Sequence, residues 1–405
     1  MDPTGPWAAL EPKLAATRKR VQELEWEPQR RNSFVPYTVD RDSAHADAGG
    51  QRCLMMSGYS YLGLGGDERV IDAARRALSV YGTGCHGVRA LAGTIPLHEE
   101  LEEEVARVAN REAAMVFSSG YAANVGTVGG LVGPGDTVFI DKYDHASIVD
   151  GCRLSGATVS RFRHNDPAHL DRRLASSSTR GVRLVIVDSV YSMDGDIAPL
   201  PELRRVCDAH NALLMVDEAH ALGVIGATGR GIEEHFDNAV PVDIKLGTLS
   251  KAIPSMGGWV AGHRDLIAHL RYAARPFLFS AALAPASAAA GLEALRILQR
   301  EPERVTHIQR ESERLRANLT TAGLRTGASS TAVIPLIIGS DEATYDYATA
   351  CRREGVIGLP VVTPAVPNNL ARLRVAVTAI HTKADIDTAA EAFRAAANTC
   401  PALAG

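Results

Sequence analysis

The segment LLMVDEAHALG, residues 213–223, is the most informative part of this chain for its architecture. It begins with four consecutive apolar residues, the pattern of a strand buried on both faces, and Asp217 follows at the carboxyl end of that strand. Ligands of open α/β sheets bind beyond the carboxyl ends of strands, so Asp217 and the nearby His220 are candidate site residues. An isolated aspartate in this place is more often a capping or turn residue, and both interpretations stay open here.

Short apolar segments on both sides of this one alternate with segments of helical period. The strand candidates are 113–117, 137–140, 183–188, 212–217, 243–247 and 258–262. The helix candidates among and before them are 68–80, 97–110, 120–132, 146–155 and 201–210. Apolar strands that alternate with helices predict an α/β fold with a mostly parallel sheet covered on both faces.

The pattern changes towards the two ends of the chain. Residues 7–25 have the pattern of an amphipathic helix, and a short apolar strand is predicted around 53–57. Beyond the large domain, helices are predicted at 284–300, 302–322, 342–354 and 383–397, with apolar segments at 332–338 and 371–377. We therefore predict an N-terminal helix and arm (1–60), a large domain (61–283) and a smaller C-terminal α+β domain (284–405).

Composition excludes several classes of protein. The 405 residues are 46% hydrophobic and 22% charged, which is typical of a globular protein and not of a disordered one. A net charge of −4 gives no basic footprint for nucleic acid, and no apolar segment is long enough to predict a membrane span. The N-terminus lacks the apolar region of a secretory signal, so a cytoplasmic location is expected. The scattered cysteines predict neither disulfides nor a metal site.

The glycine-rich segment GTGCHG, residues 82–87, matches the pattern GxGxxG. In a dinucleotide-binding fold that pattern follows a strand and opens a helix. Here a helical segment precedes it, so a flexible loop that lines a site is favoured over a nucleotide-binding dehydrogenase.

Lys251 is one of six lysines in the chain and stands in GTLSK, after the strand candidate 243–247. A lysine amine, the carboxylate of Asp217 and the small-residue turn FSSGYAAN at 117–124 together suit pyridoxal 5′-phosphate (PLP). The lysine binds the cofactor aldehyde, and the carboxylate keeps the pyridine nitrogen protonated. Hydroxyl groups and the amino end of a helix bind the phosphate. The combination predicts a PLP enzyme.

Six motifs occur in an order that resembles the α-oxoamine synthases. They are SSGYAANVG (118–126), DKYDHASIVDG (141–151), DSVYSMDGDIAPL (188–200), VDEAHALGVIGATGRG (216–231), TLSKA (248–252) and ARLRVAVTAIHTKADID (371–387). The resemblance covers roughly residues 30–398. It implies the aspartate aminotransferase-like PLP fold, fold type I, and PLP as the cofactor.

The resemblance also implies roles for residues around the cofactor ring. Lys251 would bind the cofactor and later take the Cα proton of the amino acid substrate. Asp217 would pair with the pyridine nitrogen, and His145 would stack on the ring. His220 and Ser192 would contact the ring hydroxyl oxygen, with His220 a candidate to polarise the new carbonyl group. The catalytic set is therefore Lys251, Asp217, His220 and His145.

The phosphate would be held by Ser119, Gly120, Tyr121 and Thr248, through backbone and hydroxyl groups. Ser280 matches a family position that reaches the phosphate of the neighbouring subunit. The resemblance therefore implies a homodimer with shared active sites.

Arg374 matches the family residue that binds the carboxylate of the amino acid, a task that suits a guanidinium. Arg372 lies two residues earlier on the same face of the predicted strand, so periodicity does not separate the two. Ser60 stands where relatives often have a substrate-binding asparagine. This departure argues against succinyl-CoA as the acyl donor.

Three further departures from the family pattern fall near the expected acyl side. Pro254 and Trp259 replace residues that are common in relatives, and the segment Gly84–Arg89 with His86 is expected to line the acyl side. This segment does not match the biotin-pathway synthase well. We therefore expect an acyl donor other than succinyl-CoA or pimeloyl-CoA, such as a longer chain or one bound to an acyl carrier protein.

The implied activity is a decarboxylative Claisen condensation of a small α-amino acid with an acyl thioester, giving an α-amino ketone, CO₂ and free thiol. Glycine, alanine and serine all stay open as the amino acid. Alternatives are a serine palmitoyltransferase-like or glycine C-acyltransferase member, or another fold type I enzyme such as an aminotransferase. A PLP-binding regulatory protein is disfavoured, because no DNA-binding extension or basic patch is visible.

Overall fold

The computed structural model describes residues 8–25, 37–41 and 44–400. Parts of the predicted N-terminal helix and arm, residues 1–7, 26–36 and 42–43, lie outside the described residues, and so does the end of the predicted C-terminal domain, 401–405.

The helices are, in chain order, α1 Glu11–Glu25, α2 Glu68–Tyr81, α3 Pro96–Ala109, α4 Gly120–Leu131, α5 Ala146–Ser155, α6 Pro167–Ala175, α7 Leu200–Ala209, α8 Ile232–His235, α9 Arg264–Ala273, α10 Arg275–Leu278, α11 Pro285–Arg300, α12 Glu303–Thr321, α13 Asp341–Arg353 and α14 Lys383–Asn398. The strands are β1 Thr38–Val39, β2 His45–Asp47, β3 Arg52–Met55, β4 Ala113–Phe117, β5 Thr137–Asp141, β6 Thr158–Phe162, β7 Arg183–Asp188, β8 Leu213–Asp217, β9 Ile244–Ser250, β10 Pro254–Gly262, β11 Val333–Gly339, β12 Val356–Ile357, β13 Leu359–Val361 and β14 Ala371–Ala376.

The main sheet, as far as the chain is described, has seven strands in the order β4-β10-β9-β8-β7-β5-β6. The five strands from β9 to β6 are parallel, while β10 runs antiparallel to both β4 and β9. Residues 184–188 and 214–217 are buried throughout, because helices cover both faces of the sheet. The predicted α/β fold with a mostly parallel sheet is confirmed.

The strand register brings three candidate groups to one edge of this sheet. Asp188 and Asp217 are paired at the carboxyl ends of β7 and β8. Strand β9 continues to Ser250, beyond its predicted end at 247, because Ser250 pairs with Pro254 across a tight connection to β10. Lys251 therefore begins that connection, beside the ends of β7 and β8.

The sheet edge formed by β6 and the following helix α6 were not predicted. In β6 the side chains of Ser160 and Phe162 are buried and the other three are exposed. A strand at the edge of a sheet has fewer covered positions than a central one, so its sequence lacks the continuous apolar pattern that marks β7 and β8.

The smaller region contains parts of both ends of the chain. Strand β3 pairs in parallel with β12, with Leu54 opposite Val356. Leu54 and Met56 pack in one core with residues of β11, β14, α12 and α14. Helix α11, in contrast, packs on α2 and α3 of the larger region. The domain boundaries at 60/61 and 283/284 stay a prediction.

The structure shows where Trp259 and the glycine-rich segment 82–87 lie in the fold. Trp259 is 2% exposed and its ring packs on Gly247 of the neighbouring strand, so it is a core residue. The segment 82–87 follows helix α2 directly, as expected for a loop that is not a nucleotide-binding turn.

In the described part of the chain, no helix combines the length and the apolar character that crossing a membrane requires.

Candidate active site

A cavity of about 210 Å³ lies at the carboxyl ends of β7, β8 and β9. Many of the residues predicted to bind the cofactor line it together: Ser119, Gly120, Tyr121, His145, Ser192, Asp217, His220, Thr248 and Lys251. These residues come from five separate segments of the chain, and the sheet gathers them at one edge.

Asp217 is buried at the end of β8 and is held in place by two donors. The side-chain amide of Asn124 donates to Asp217 Oδ2 at 2.7 Å, and the backbone N–H of Ala219 donates to Oδ1 at 2.9 Å. Its carboxylate therefore has a fixed orientation on the wall of the cavity. Such a carboxylate can hold a protonated ring nitrogen.

Lys251 lines the same cavity, with its ammonium 5.9 Å from the centre of the Tyr59 ring. Burial lowers the pKa of Lys251, and the charge of Arg374 acts in the same direction, against the attraction of Asp217 and Asp188. A lowered pKa makes the neutral amine more accessible, which is the form that attacks an aldehyde or accepts a proton.

The amino end of α4 forms a cradle in the wall of the cavity. The backbone N–H groups of Gly120 and Tyr121 make no hydrogen bond within the described residues, since the first turn of a helix has no internal acceptors. Such an end binds phosphate. Ser119 Oγ accepts from the backbone of Ala122 at 3.0 Å, and the Tyr121 hydroxyl donates to Asp150 at 2.7 Å. Tyr121 therefore offers its backbone N–H to the cavity, and its hydroxyl is already engaged.

Thr248 closes this side of the cavity. Its hydroxyl lies 2.7 Å from that of Ser250 and donates to the carbonyl of Gly257 at 3.0 Å. A Cβ on Gly120 would approach Thr248 to 3.1 Å, so a glycine lets the helix end come close to the strand.

His145 caps the amino end of α5 and lines the cavity at the same time. Its Nδ1 lies 2.7 Å from the hydroxyl of Ser147, and its backbone N–H donates to Asp188 at 3.2 Å. Burial lowers the pKa of His145 and, next to Asp217, raises that of Asp188 well above its usual range. A neutral imidazole fixed in this way can pack on an aromatic ring.

His220 is buried, and its Nδ1 is within hydrogen-bond distance of a tyrosine hydroxyl. The distance from Tyr61 Oη to His220 Nδ1 is 2.8 Å, and the rings of Tyr59 and Tyr61 approach the imidazole edge-on. Burial, with the positive charges of Lys251 and Arg374, lowers the pKa of His220 well below its usual range. The ring is therefore neutral at physiological pH.

The two arginines of β14, Arg372 and Arg374, have different partners. Arg372 forms an ion pair with Asp194 at 2.5 Å and donates to the carbonyl oxygens of Met193 and Leu370. Arg374 donates through Nε to the Ser192 carbonyl at 2.7 Å, while its Nη1 is buried and without a hydrogen-bond partner among the residues the structure describes.

Three predicted residues, Arg374, Ser60 and Ser280, do not line this cavity. Ser60 has a buried hydroxyl without a partner in the described part of the chain, and in sequence it lies between two tyrosines whose rings contact His220. Ser280 is half-buried and lies outside the cavity of its own chain. Of the expected acyl-side loop, His86 is exposed, whereas Arg89 is buried in an ion pair with Glu102.

Sequence reasoning missed Asn124, Ser147, Asp188 and Tyr61. Asn124 follows Gly120 by four residues in a helix, so helical spacing could have placed both on the cavity side of α4. Ser147 lies in the motif at 141–151, and Asp188 begins the motif at 188–200. Tyr61 lies 159 residues from His220, and no local pattern links the two.

The aminotransferase class I and II family matches residues 52–393. The chain belongs to this family. It is 41% identical over 342 residues to a serine palmitoyltransferase from Sphingobacterium spiritivorum, covering 84% of this chain and 86% of that protein. It is 42% identical over 345 residues to an 8-amino-7-oxononanoate synthase from Thermoanaerobacter pseudethanolicus, covering 85% and 87%. Both are α-oxoamine synthases, which are PLP-dependent acyltransferases.

A solved serine palmitoyltransferase from S. paucimobilis, with a bound PLP–myriocin aldimine, aligns with a TM-score of 0.91 and 31% identity over 98% of this chain and 99% of that one. The predicted family, fold type I class, cofactor and enzyme class are confirmed. The two synthase activities have almost the same identity to this chain, so identity alone does not select between their substrates.

The residues of this family member fit PLP. A cavity of about 150 Å³ can hold benzene in another protein, so about 210 Å³ leaves room for a substituted ring. Its walls supply a lysine amine, a fixed carboxylate and the free N–H groups of the α4 amino end. A Cβ on Gly258 would lie 2.5 Å from Gly120 Cα, so a glycine is needed behind the cradle.

Proposed function

We propose that this chain catalyses the decarboxylative condensation of a small α-amino acid with an acyl thioester, and that Lys251, Asp217, His220 and His145 are its catalytic residues. The observation that carries the proposal is the cavity at the carboxyl edge of the sheet, which is lined by the Lys251 amine, the fixed Asp217 carboxylate and the free amino end of α4. The two synthase relatives support the same reaction class.

Bound PLP supplies an acceptor for the electron pair left at Cα when the amino acid loses its proton. Lys251 is suited to hold the cofactor and then to take that proton, because burial lowers the pKa of its amine. Asp217, oriented by Asn124, keeps a positive charge on the ring nitrogen.

The amino acid carboxylate is proposed to bind Arg374, whose buried Nη1 lacks a partner among the described residues. Arg372 is already paired with Asp194 and so is a poorer choice. His220 is proposed to donate a hydrogen bond into the cavity, towards the ring hydroxyl oxygen and the carbonyl group that forms. Ser192 adds a second polar group at the same wall.

For the acyl donor, we propose a chain longer than succinyl or pimeloyl, carried by CoA or an acyl carrier protein. The serine palmitoyltransferase relatives and the serine at position 60 support this choice. A thioester panel tests it: clear preference for succinyl-CoA or pimeloyl-CoA would reject it.

The reaction itself is tested by measuring CO₂ and free thiol with each substrate alone and with both together. We expect both products only when amino acid and thioester are supplied together. Lys251→Ala abolishes turnover, while Lys142→Ala, a change of an exposed lysine outside this cavity, keeps it. Transfer of the amino group to an oxo acid without CO₂ release would show an aminotransferase instead.

We further propose a homodimer in which Ser280 reaches the phosphate of the neighbouring subunit. Ser280 follows Phe279, which is 70% exposed, and Ala281 bridges to Val88, in the segment that carries the 85% exposed Leu91. Such adjoining apolar side chains are typical of an interface. A monomer mass in light scattering of the purified protein would contradict the dimer. A cytoplasmic location stays a prediction.

A further inference from the structure

The hydroxyl of Tyr61 lies between two residues of the proposed machinery. Arg374 Nη2 donates to it at 3.0 Å, and on its other side lies His220 Nδ1 at 2.8 Å. Tyr61 and Arg374 are at most 1% exposed and His220 is 7% exposed. The three side chains thus form a short buried chain of hydrogen bonds, and Tyr61 itself does not line the cavity.

The direction of these hydrogen bonds follows from the chemistry of the groups. A guanidinium has donors and no acceptor, so the Tyr61 oxygen accepts from Arg374. The one proton of the phenol is left for His220 Nδ1. If His220 carried its proton on Nδ1 instead, the Tyr61 proton would have no acceptor among the described residues, and an unmet buried donor is costly.

This direction decides which nitrogen of His220 carries the proton. With Nδ1 as an acceptor, a neutral imidazole is protonated on Nε2. His220 lines the cavity, and its Nε2 makes no hydrogen bond within the described part of the chain. That nitrogen is therefore the one available to a ligand.

We propose that Tyr61 is a positioning residue that holds His220 in the Nε2–H tautomer and so makes it a hydrogen-bond donor towards the cavity. The tautomer itself does not depend on the reaction that the enzyme catalyses. Its consequence for a ring hydroxyl oxygen rests on the proposed function.

Nitrogen-15 NMR of the protein without cofactor, labelled at histidine, measures the tautomer directly. The His220 signals are identified by their loss in His220→Gln. In the unmodified protein we expect an unprotonated Nδ1 and a protonated Nε2. In Tyr61→Phe the chemical shifts of both nitrogens move towards the average of the two tautomers, because the donor to Nδ1 is gone.

Tyr59→Phe is the matched control. Tyr59 lies two residues away and its ring also contacts His220 edge-on, at 5.9 Å between centroids, without a hydroxyl bond to the imidazole. This variant keeps the tautomer of the unmodified protein. We also expect the Kd for added PLP, from equilibrium dialysis, to rise about tenfold in Tyr61→Phe, as for the loss of one hydrogen bond, and to stay unchanged in Tyr59→Phe.

A proton on Nδ1 of His220 in the unmodified protein overturns the proposal, whether or not Tyr61→Phe folds. A tautomer unchanged by Tyr61→Phe overturns it as well. If the tautomer is as expected but amino acid and thioester give no products, the proposed function fails and the role of Tyr61 stands.

Discussion

Arg372 and Arg374 illustrate how partners distinguish two identical side chains. They lie on one face of β14, and both are buried. Arg372 donates hydrogen bonds to Asp194 and to backbone carbonyl groups. Arg374 has one buried donor, Nη1, that has no partner among the described residues. A buried cation with an unused donor is costly, and a carboxylate ligand would remove that cost.

We therefore predict that Arg374→Lys lowers kcat/KM for the amino acid about 100-fold, or about 2–3 kcal/mol, since lysine keeps the charge and loses the planar fork. Most of the loss is expected in KM, because the carboxylate is bound before and during the reaction. Steady-state kinetics with the amino acid varied at saturating thioester measure it.

Arg372→Lys is the control for this change. It weakens the ion pair with Asp194, so we expect lower stability and a KM for the amino acid within about threefold of the original. If Arg372→Lys raises that KM more than Arg374→Lys does, the assignment of the two arginines is reversed.

The site residues that sequence could indicate are those with local motifs. Lys251 and Asp217 follow apolar strands, and Gly120 opens a helix, so the α/β pattern places all three at one edge. Tyr61 and Asn124 act through side chains brought together from distant segments, and their contacts depend on packing that no local periodicity encodes.

At the level of elements, the amino end of α4 is positioned by close approach to β10. Gly258 pairs with Phe117 and Thr248 on either side, and it faces the turn that opens the helix. A Cβ there would lie 2.5 Å from the Ser119 carbonyl oxygen and from Gly120 Cα. Both are backbone atoms, so the helix end itself would have to move.

Gly258→Ala is therefore expected to raise the Kd for PLP at least tenfold and to lower the free energy of unfolding by about 1–3 kcal/mol, as for overpacking. Gly129→Ala, on the exposed side of the same helix, meets no described atom within 4 Å and should raise stability by about 1 kcal/mol. Equilibrium dialysis and urea unfolding measure both. Equal PLP affinity in the two variants would contradict the close-approach explanation.

Prediction of the elements succeeded where burial is continuous. Strands β7 and β8 are covered on both faces, and their apolar runs matched the structure to within a residue or two. It failed for β1 and β2, because strands of two or three residues carry too little periodicity, whereas β3 lies at the strand predicted around 53–57. The pairing of β3 with β12, some 300 residues later, is a tertiary contact without a local pattern.

On the scale of the whole molecule, charged groups join the sheet to the C-terminal region. His164, which follows β6, bonds Asp141 at the end of β5 at 3.0 Å and Asp196 at 2.8 Å. The loop that contains Asp196 also contacts the C-terminal region, where Thr331 donates to the Gly195 carbonyl at 2.9 Å. His164 thus helps to hold the loop on which the two regions meet.

Stability should depend on pH through this histidine. Burial lowers the pKa of His164, but the two carboxylates outweigh it and raise the pKa to about 9. A folded-state pKa above the unfolded value of about 6.5 means that the contribution is complete below pH 6.5 and is lost as the pH rises through 9. Allowing for the partial exposure of the ring, we expect on the order of 2 kcal/mol at low pH.

We predict that His164→Gln lowers the free energy of unfolding by that amount at pH 6, by less at pH 8 and by almost nothing at pH 10. Urea unfolding at one protein concentration measures the difference, since a dimer would make stability depend on concentration. His210→Gln removes a pair with the exposed Asp171 and should cost less than about 1 kcal/mol. If His164→Gln lowers the free energy of unfolding equally at pH 6 and pH 10, the imidazole acts through packing and neutral hydrogen bonds and its charge contributes nothing.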